Sequence, residues 1–184
     1  MLALLFSYLI YDSVDSKIEF RKEADRREQK VIKQLKDIRK AQISYKKVRG
    51  KYTNSFDSLF SHIKNDSMVI VKAIGSVPDT LTELQALEQG IIVRDTSLIP
   101  VRDTLFTAEY NLDSLKYIHF SDSEEFKLQA GELEKNKLKV QVFEAFAPYS
   151  AIYNNMDLTN ESLDLTEGLR VGSMTDANTS GNWE

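Results

Sequence analysis

The chain has 184 residues, a formal net charge of −4, 42% hydrophobic and 10% aromatic residues, and no cysteine. That apolar content supports a packed core and argues against a disordered chain. Without thiols, disulfides, thiolate catalysis and Cys-ligated zinc or iron–sulfur centres are excluded. The charge is unevenly divided. Residues 17–51 hold fourteen Lys or Arg against five Asp or Glu, a balance of +9, and the rest of the chain has a balance of −13. Such a division suggests an interaction surface.

Residues 1–14 read as an apolar membrane-anchor segment, apolar from Met1 to Tyr11 apart from Ser7. Eleven helical residues rise about 17 Å, against roughly 30 Å of hydrocarbon, so the anchor is short or is the end of a longer one. No small-residue cleavage site follows it. Lys17, Arg21, Lys22, Arg26 and Arg27 follow closely, a pattern that on its own places the following domain in the cytoplasm.

Residues 15–49 read as a long basic amphipathic helix. No Pro or Gly interrupts Asp15 to Val48, and Asp15 or Ser16 is positioned to cap its start. Val31, Leu35, Ile38, Gln42 and Tyr45 step by four and three and fall on one face, assigned to helix packing and assembly. Arg26, Arg27, Lys33, Lys36 and Lys40 are candidates for charge contacts between subunits, and Lys17 to Arg27 could meet anionic lipid headgroups. Gly50 suits the stop.

Residues 50–166 read as an α+β globular domain. Thr53-Asn54-Ser55 is a turn and cap, and Phe56, Leu59, Phe60 and Ile63 form a short second helix. Met68 to Val71 is a strand, and Thr80 to Gln89 a short helix before Gly90. Ile91–Thr96 and Val101–Phe106 share Val-Arg-Asp-Thr and read as two extended segments separated by Pro100. Leu115–Phe120 is another strand candidate. Glu125–Gly131 and Leu138–Ala147 alternate around Glu134-Lys135-Asn136-Lys137 and form an antiparallel hairpin, ended by Pro148. Residues 167–184 are rich in Gly, Ser, Thr and Asn and read as a flexible polar tail.

No phosphate-binding Gly-rich loop, nucleophile elbow or kinase signature is present. His62 and His119 are the only histidines, and neither has a carboxylate or second histidine at a metal-ligand spacing. Asp176, Asn178 and Asn182 offer oxygen ligands in the tail, with fewer carboxylates than calcium sites usually hold. No cofactor, metal or catalytic residue is expected. Glu19, Glu23, Asp25, Glu28 and Asp37 interleave the basic helix and weigh against nucleic acid.

Ile38-Arg39-Lys40-Ala41-Gln42, Tyr45, Gly50-Lys51-Tyr52 and Leu59 follow an apolar N-terminus and precede antiparallel strands. In this the chain resembles type IV pilins and type II secretion pseudopilins. The likeness covers about thirty residues. The closing Ser180-Gly181-Asn182-Trp183-Glu184 is similar to the terminal loop of major pseudopilins. The whole chain also resembles a group of single-anchor membrane proteins from Bacteroidetes. The resemblance implies a long N-terminal helix packed on an antiparallel sheet. It also implies a non-enzymatic structural subunit, single-pass in a bacterial inner membrane with a periplasmic domain. Its expected partners are other copies of itself or envelope proteins. The other expectation is a membrane-held scaffold whose basic helix meets anionic lipid and whose β domain binds a protein.

Overall fold

The structure is a computed structural model that describes residues 2–184 apart from 136 and 160; side chains are described from Lys17 onward, excepting 72 and 73. It is a mixed α+β chain with a long N-terminal helix and antiparallel sheets. It divides into two compact units. One comprises residues 1–59 and 111–184, and the other residues 60–110.

Helix α1 spans Leu2–Arg49, 48 residues without a glycine or proline, so about 72 Å long. The anticipated start at Asp15 or Ser16 is not a boundary, because the helix runs through it. Asp and Ser are only weakly unfavourable inside a helix, and nothing else in residues 2–16 breaks it. The apolar anchor assigned to residues 1–14 lies outside the described side chains. At the other end Gly50 takes φ +77° and its N–H donates to the Lys46 carbonyl at 2.8 Å, the left-handed stop that glycine adopts without strain. Lys46, Lys47 and Arg49 sit in the last turn, where the helix dipole favours cations.

Ser55 caps α2, Phe56–Asn65, its Oγ accepting from the Ser58 amide at 3.4 Å. Phe56, Leu59, Phe60 and Ile63 are buried, as their spacing requires.

The first unit contains a three-stranded antiparallel sheet in the order β3-β4-β5: β3 Lys127–Lys135, β4 Leu138–Pro148 and β5 Gly168–Gly172. The β3–β4 hairpin is the expected one, with Ala130 opposite Phe143. Its turn is tighter than expected. Lys135 already pairs with Leu138, and Lys137 takes φ +63° as a two-residue hairpin loop demands. A four-residue helix, α5 Tyr149–Ile152, follows Pro148.

The C-terminal segment corrects the sequence reading, because it is not a tail. Leu169 and Val171 are buried, and β5 pairs with β4 from Gly168↔Pro148 to Gly172↔Glu144. Residues 180–182 then close the outer edge of β5. Gly172 N–H donates to Ser180 O at 3.0 Å and Asn182 N–H to Arg170 O at 3.1 Å. The Asn182 side chain accepts from Arg170 N–H at 3.0 Å and donates to Gly168 O at 2.9 Å, standing in for a strand peptide. Asn178 accepts from the Ser180 amide and Asp176 from Lys135 Nζ at 2.8 Å, so these oxygens already hold turns and an ion pair.

Leu115–Phe120, anticipated as a strand, is the end of a 3₁₀ helix over Leu112–Lys116, a single antiparallel bridge from Tyr117 to Glu125, and a turn. The buried side chains are Leu112, Leu115 and Ile118, a period of three, whereas a strand buries every second residue.

The second unit pairs β1, Ser67–Ile74, with β2, Val93–Pro100, in antiparallel register. Between them lies α3, Glu83–Glu88, opened by a Thr82/Gln85 capping box. The second Val-Arg-Asp-Thr is not extended. It forms α4, Val101–Leu105, with the Thr104 hydroxyl donating to Pro100 O at 3.2 Å. One tetrapeptide is thus a strand at 93–96 and a helix at 101–104. Pro100 sets the difference, since its fixed φ opens a helix more readily than it continues a central strand. Val69, Val71 and Leu98 are exposed on one face of the ribbon.

Candidate functional site

The candidate surface is α1 itself, which divides into an inner and an outer face. On the inner face Ala24, Val31, Ile32, Leu35, Ile38 and Ala41 are buried. Val31, Leu35, Ile38 and Gln42 of the assembly line are fully covered by this chain alone, and Tyr45 is half-buried. Their surface is consumed in the chain's own core and is not presented to a neighbour.

Polar side chains fasten this face at several heights. Gln42 is wholly buried; its Nε2 donates to Thr53 O at 2.6 Å and its Oε1 accepts from Thr53 N–H at 3.1 Å. Gln34, 5% exposed, donates to Tyr117 O at 2.8 Å and accepts from His119 N–H at 3.1 Å. Gln42 thereby satisfies both peptide groups of a buried residue, Thr53, and Gln34 bridges the peptide groups of the more exposed Tyr117 and His119. Arg27 donates to Asn154 O at 2.7 Å and Ile152 O at 3.1 Å, and Arg39 to Thr179 O at 3.3 Å and Glu184 at 2.9 Å. Tyr153, stacked on Tyr149, donates its hydroxyl to Glu28. Burial first, then Glu28, pushes the Tyr153 phenol well above the usual range. Gln34, Arg39 and Tyr153 were not legible as fasteners in the sequence. Arg27, read there as an intersubunit contact, is committed within the chain.

Glu23 binds Arg26 through two 2.7 Å hydrogen bonds and Arg27 through one of 2.9 Å. The Arg26 bonds first, then Arg27, draw its carboxyl down from 4.5 to about 2. A lowered folded-state value means the pair stabilises the fold above pH 4.5 and loses that contribution as pH falls towards 2. A carboxyl ¹³C titration should therefore show a Glu23 midpoint near 2 that moves upward in Arg26→Gln. A wild-type midpoint at 4.5 would remove this cluster.

The outer face is basic. Lys22, Arg26, Lys33, Lys36, Lys40 and Lys47 are exposed and follow one another at spacings close to whole helical turns. The only exposed carboxylate among them is Asp25; Asp37 is buried and accepts from Lys40 at 3.2 Å. Near the start of the described side chains an open groove of about 390 Å³ lies between Phe20 and Glu23 of α1 and Met156, Asp157 and Glu161.

His62 is buried, with Nδ1 2.8 Å from Asp66. His119 is not in a strand, and burial lowers its pKa. No cluster of three His, Asp or Glu capable of holding a metal occurs among the described residues. Among them also, no helix is long and apolar enough to cross a membrane. The chain matches no protein-family model, no curated protein and no solved structure.

Proposed function

We propose that the chain is a non-enzymatic, membrane-anchored structural subunit. In this reading it is pilin-like and assembles along its N-terminal helix in a cell-envelope filament or secretion-type machine. The anchor lies in a bacterial inner membrane, the rest faces the periplasm, and the C-terminal half of α1 rests on the β3–β4–β5 sheet. One observation carries the reading. α1 is a single helix from Leu2 to Arg49, and among its described side chains, which begin at Lys17, those buried by its own chain run from Ala24 to Ser44. Roughly 33 Å of helix precede Ala24. In this reading the later half of the helix serves the chain's own core and the earlier half serves membrane and neighbours.

Fractionation followed by light scattering in mild detergent tests this. The full chain is expected in the membrane fraction and above monomer mass after extraction. A strictly monomeric protein over the whole accessible concentration range would end the assembly reading.

A further inference from the structure

Resting on that assembly reading, we infer that the chain carries both halves of a staggered contact between copies. The row Lys33, Lys36 and Lys40 of one copy meets the acidic loop 157–167 of the next, displaced about 24 Å along the helix axis.

Along its own sequence the loop is acidic, and the cations of the same copy that share a groove with it, Lys17 and Arg27, stand only at its start, beside Asp157 and Glu161. No Lys or Arg occurs between residues 140 and 169, while Asp157, Glu161, Asp164 and Glu167 crowd eleven positions. Two of the carboxylates are fixed in place. Asp157 accepts from Thr159 N–H at 3.0 Å, and Asp164 from Thr166 N–H at 2.9 Å, each also bonded by the threonine hydroxyl. Those hydroxyl bonds, then the amide bonds, hold both carboxyls below the usual carboxylate range, so the loop stays charged in mild acid.

Position supplies the stagger. The start of the loop borders α1 at Phe20 and Glu23, through the groove that Asp157 and Glu161 line. The lysine row is centred at Lys36, about sixteen residues further along, which is about 24 Å of helix. Two copies at equal height set lysine row beside lysine row. Sliding one copy by that distance sets lysines against carboxylates. The two patches differ, so the contact is head-to-tail and does not close on a pair; it propagates along the axis. Lipid is a poorer occupant for this part of the row. Lys33 stands nineteen residues beyond the apolar segment, about 28 Å up an upright helix, against a screening length of about 8 Å.

A charge-swap experiment on the full chain in mild detergent decides the matter. The two variants are Lys33→Glu/Lys36→Glu/Lys40→Glu and Glu161→Lys/Glu167→Lys; the second leaves both threonine-held aspartates in place. Each variant alone should self-associate at least about tenfold more weakly than wild type at about 0.05 M salt, with its circular dichroism unchanged. An equimolar mixture should recover assembly, because the lysine row of the loop variant meets the unchanged acidic loop of the row variant, while the reversed row meets a loop brought to zero charge that no longer repels it. Wild-type assembly should itself weaken by about 0.5 M salt. If wild type assembles and the variants assemble equally well, or if the mixture fails to recover, the contact is wrong while the assembly reading stands. Lysine-dependent binding of wild type to phosphatidylglycerol vesicles without swap recovery would hand the row to lipid and overturn the contact. A wild type that stays monomeric at every salt concentration overturns both.

Discussion

Replacing Gln42 with leucine is expected to destabilise the first unit by about 2–4 kcal/mol, although leucine is close in size and more apolar. Gln42 has no exposed surface, and its carboxamide satisfies both the N–H and the C=O of Thr53, itself buried. Leucine leaves those two groups without partners in the interior. Each unsatisfied group costs about 1–3 kcal/mol, more than the added apolar burial returns. The clamp also fixes where the chain turns after Gly50, so its loss should loosen residues 51–55. Urea denaturation reads the cost, with Ile32→Val as the packing control at about 0.5–1.5 kcal/mol. If Gln42→Leu costs no more than that control, the carboxamide is dispensable.

The second large effect is expected at the two glycines of β5. A Cβ at Gly168 would stand 2.0 Å from Ala147 O and 2.7 Å from Pro148 Cα. At Gly172 it would stand 2.2 Å from Phe143 O, with φ at +77° besides. The obstructing atoms are backbone of β4, which cannot yield without opening the ladder. Gly168→Ala and Gly172→Ala should each cost about 3–5 kcal/mol and release the C-terminal segment from β4. The contrast is Gly131 in β3, where the nearest atom to an added Cβ is the flexible Met174 Cε at 3.3 Å. Gly131→Ala should be near neutral. Thermal melts of the three variants, with amide exchange at Arg170 and Val171, check the ordering. Equal melting temperatures would remove the claim that β5 needs bare backbone.

The elements legible in the sequence were those whose periodicity is long or whose stop is chemically sharp. Gly50 ended α1 because glycine alone sits easily at positive φ there, and the alternation across 138–147 announced β4. The failures have separate physical causes. Val-Arg-Asp-Thr at 101–104 follows a proline that sets up a helix, whereas the same residues at 93–96 lie opposite β1. Leu112, Leu115 and Ile118 follow a three-residue period that a strand reading overlooks. β5 is short and glycine-bounded, so its polar surroundings outweighed Leu169 and Val171, and its outer edge is completed by a side chain, Asn182. Gln34 and Gln42 look alike in sequence to any polar residue near an apolar stripe. Only the partners brought to them, 83 residues and 11 residues away, make them clamps. The outer lysine row was visible as charge, but not as a face on which Asp25 is the one exposed carboxylate.

The fastening of α1 has a mechanical meaning. The helix has no joint before Gly50, so a tug on its first turns travels undiminished past Ala24. There it meets Arg27, Gln34, Arg39 and Gln42, whose bonds reach segments as distant as residues 152 and 184. Because these attachments are strung along the axis of pull, the load is shared among them in shear. The unit resists extraction as a whole and does not unzip one bond at a time.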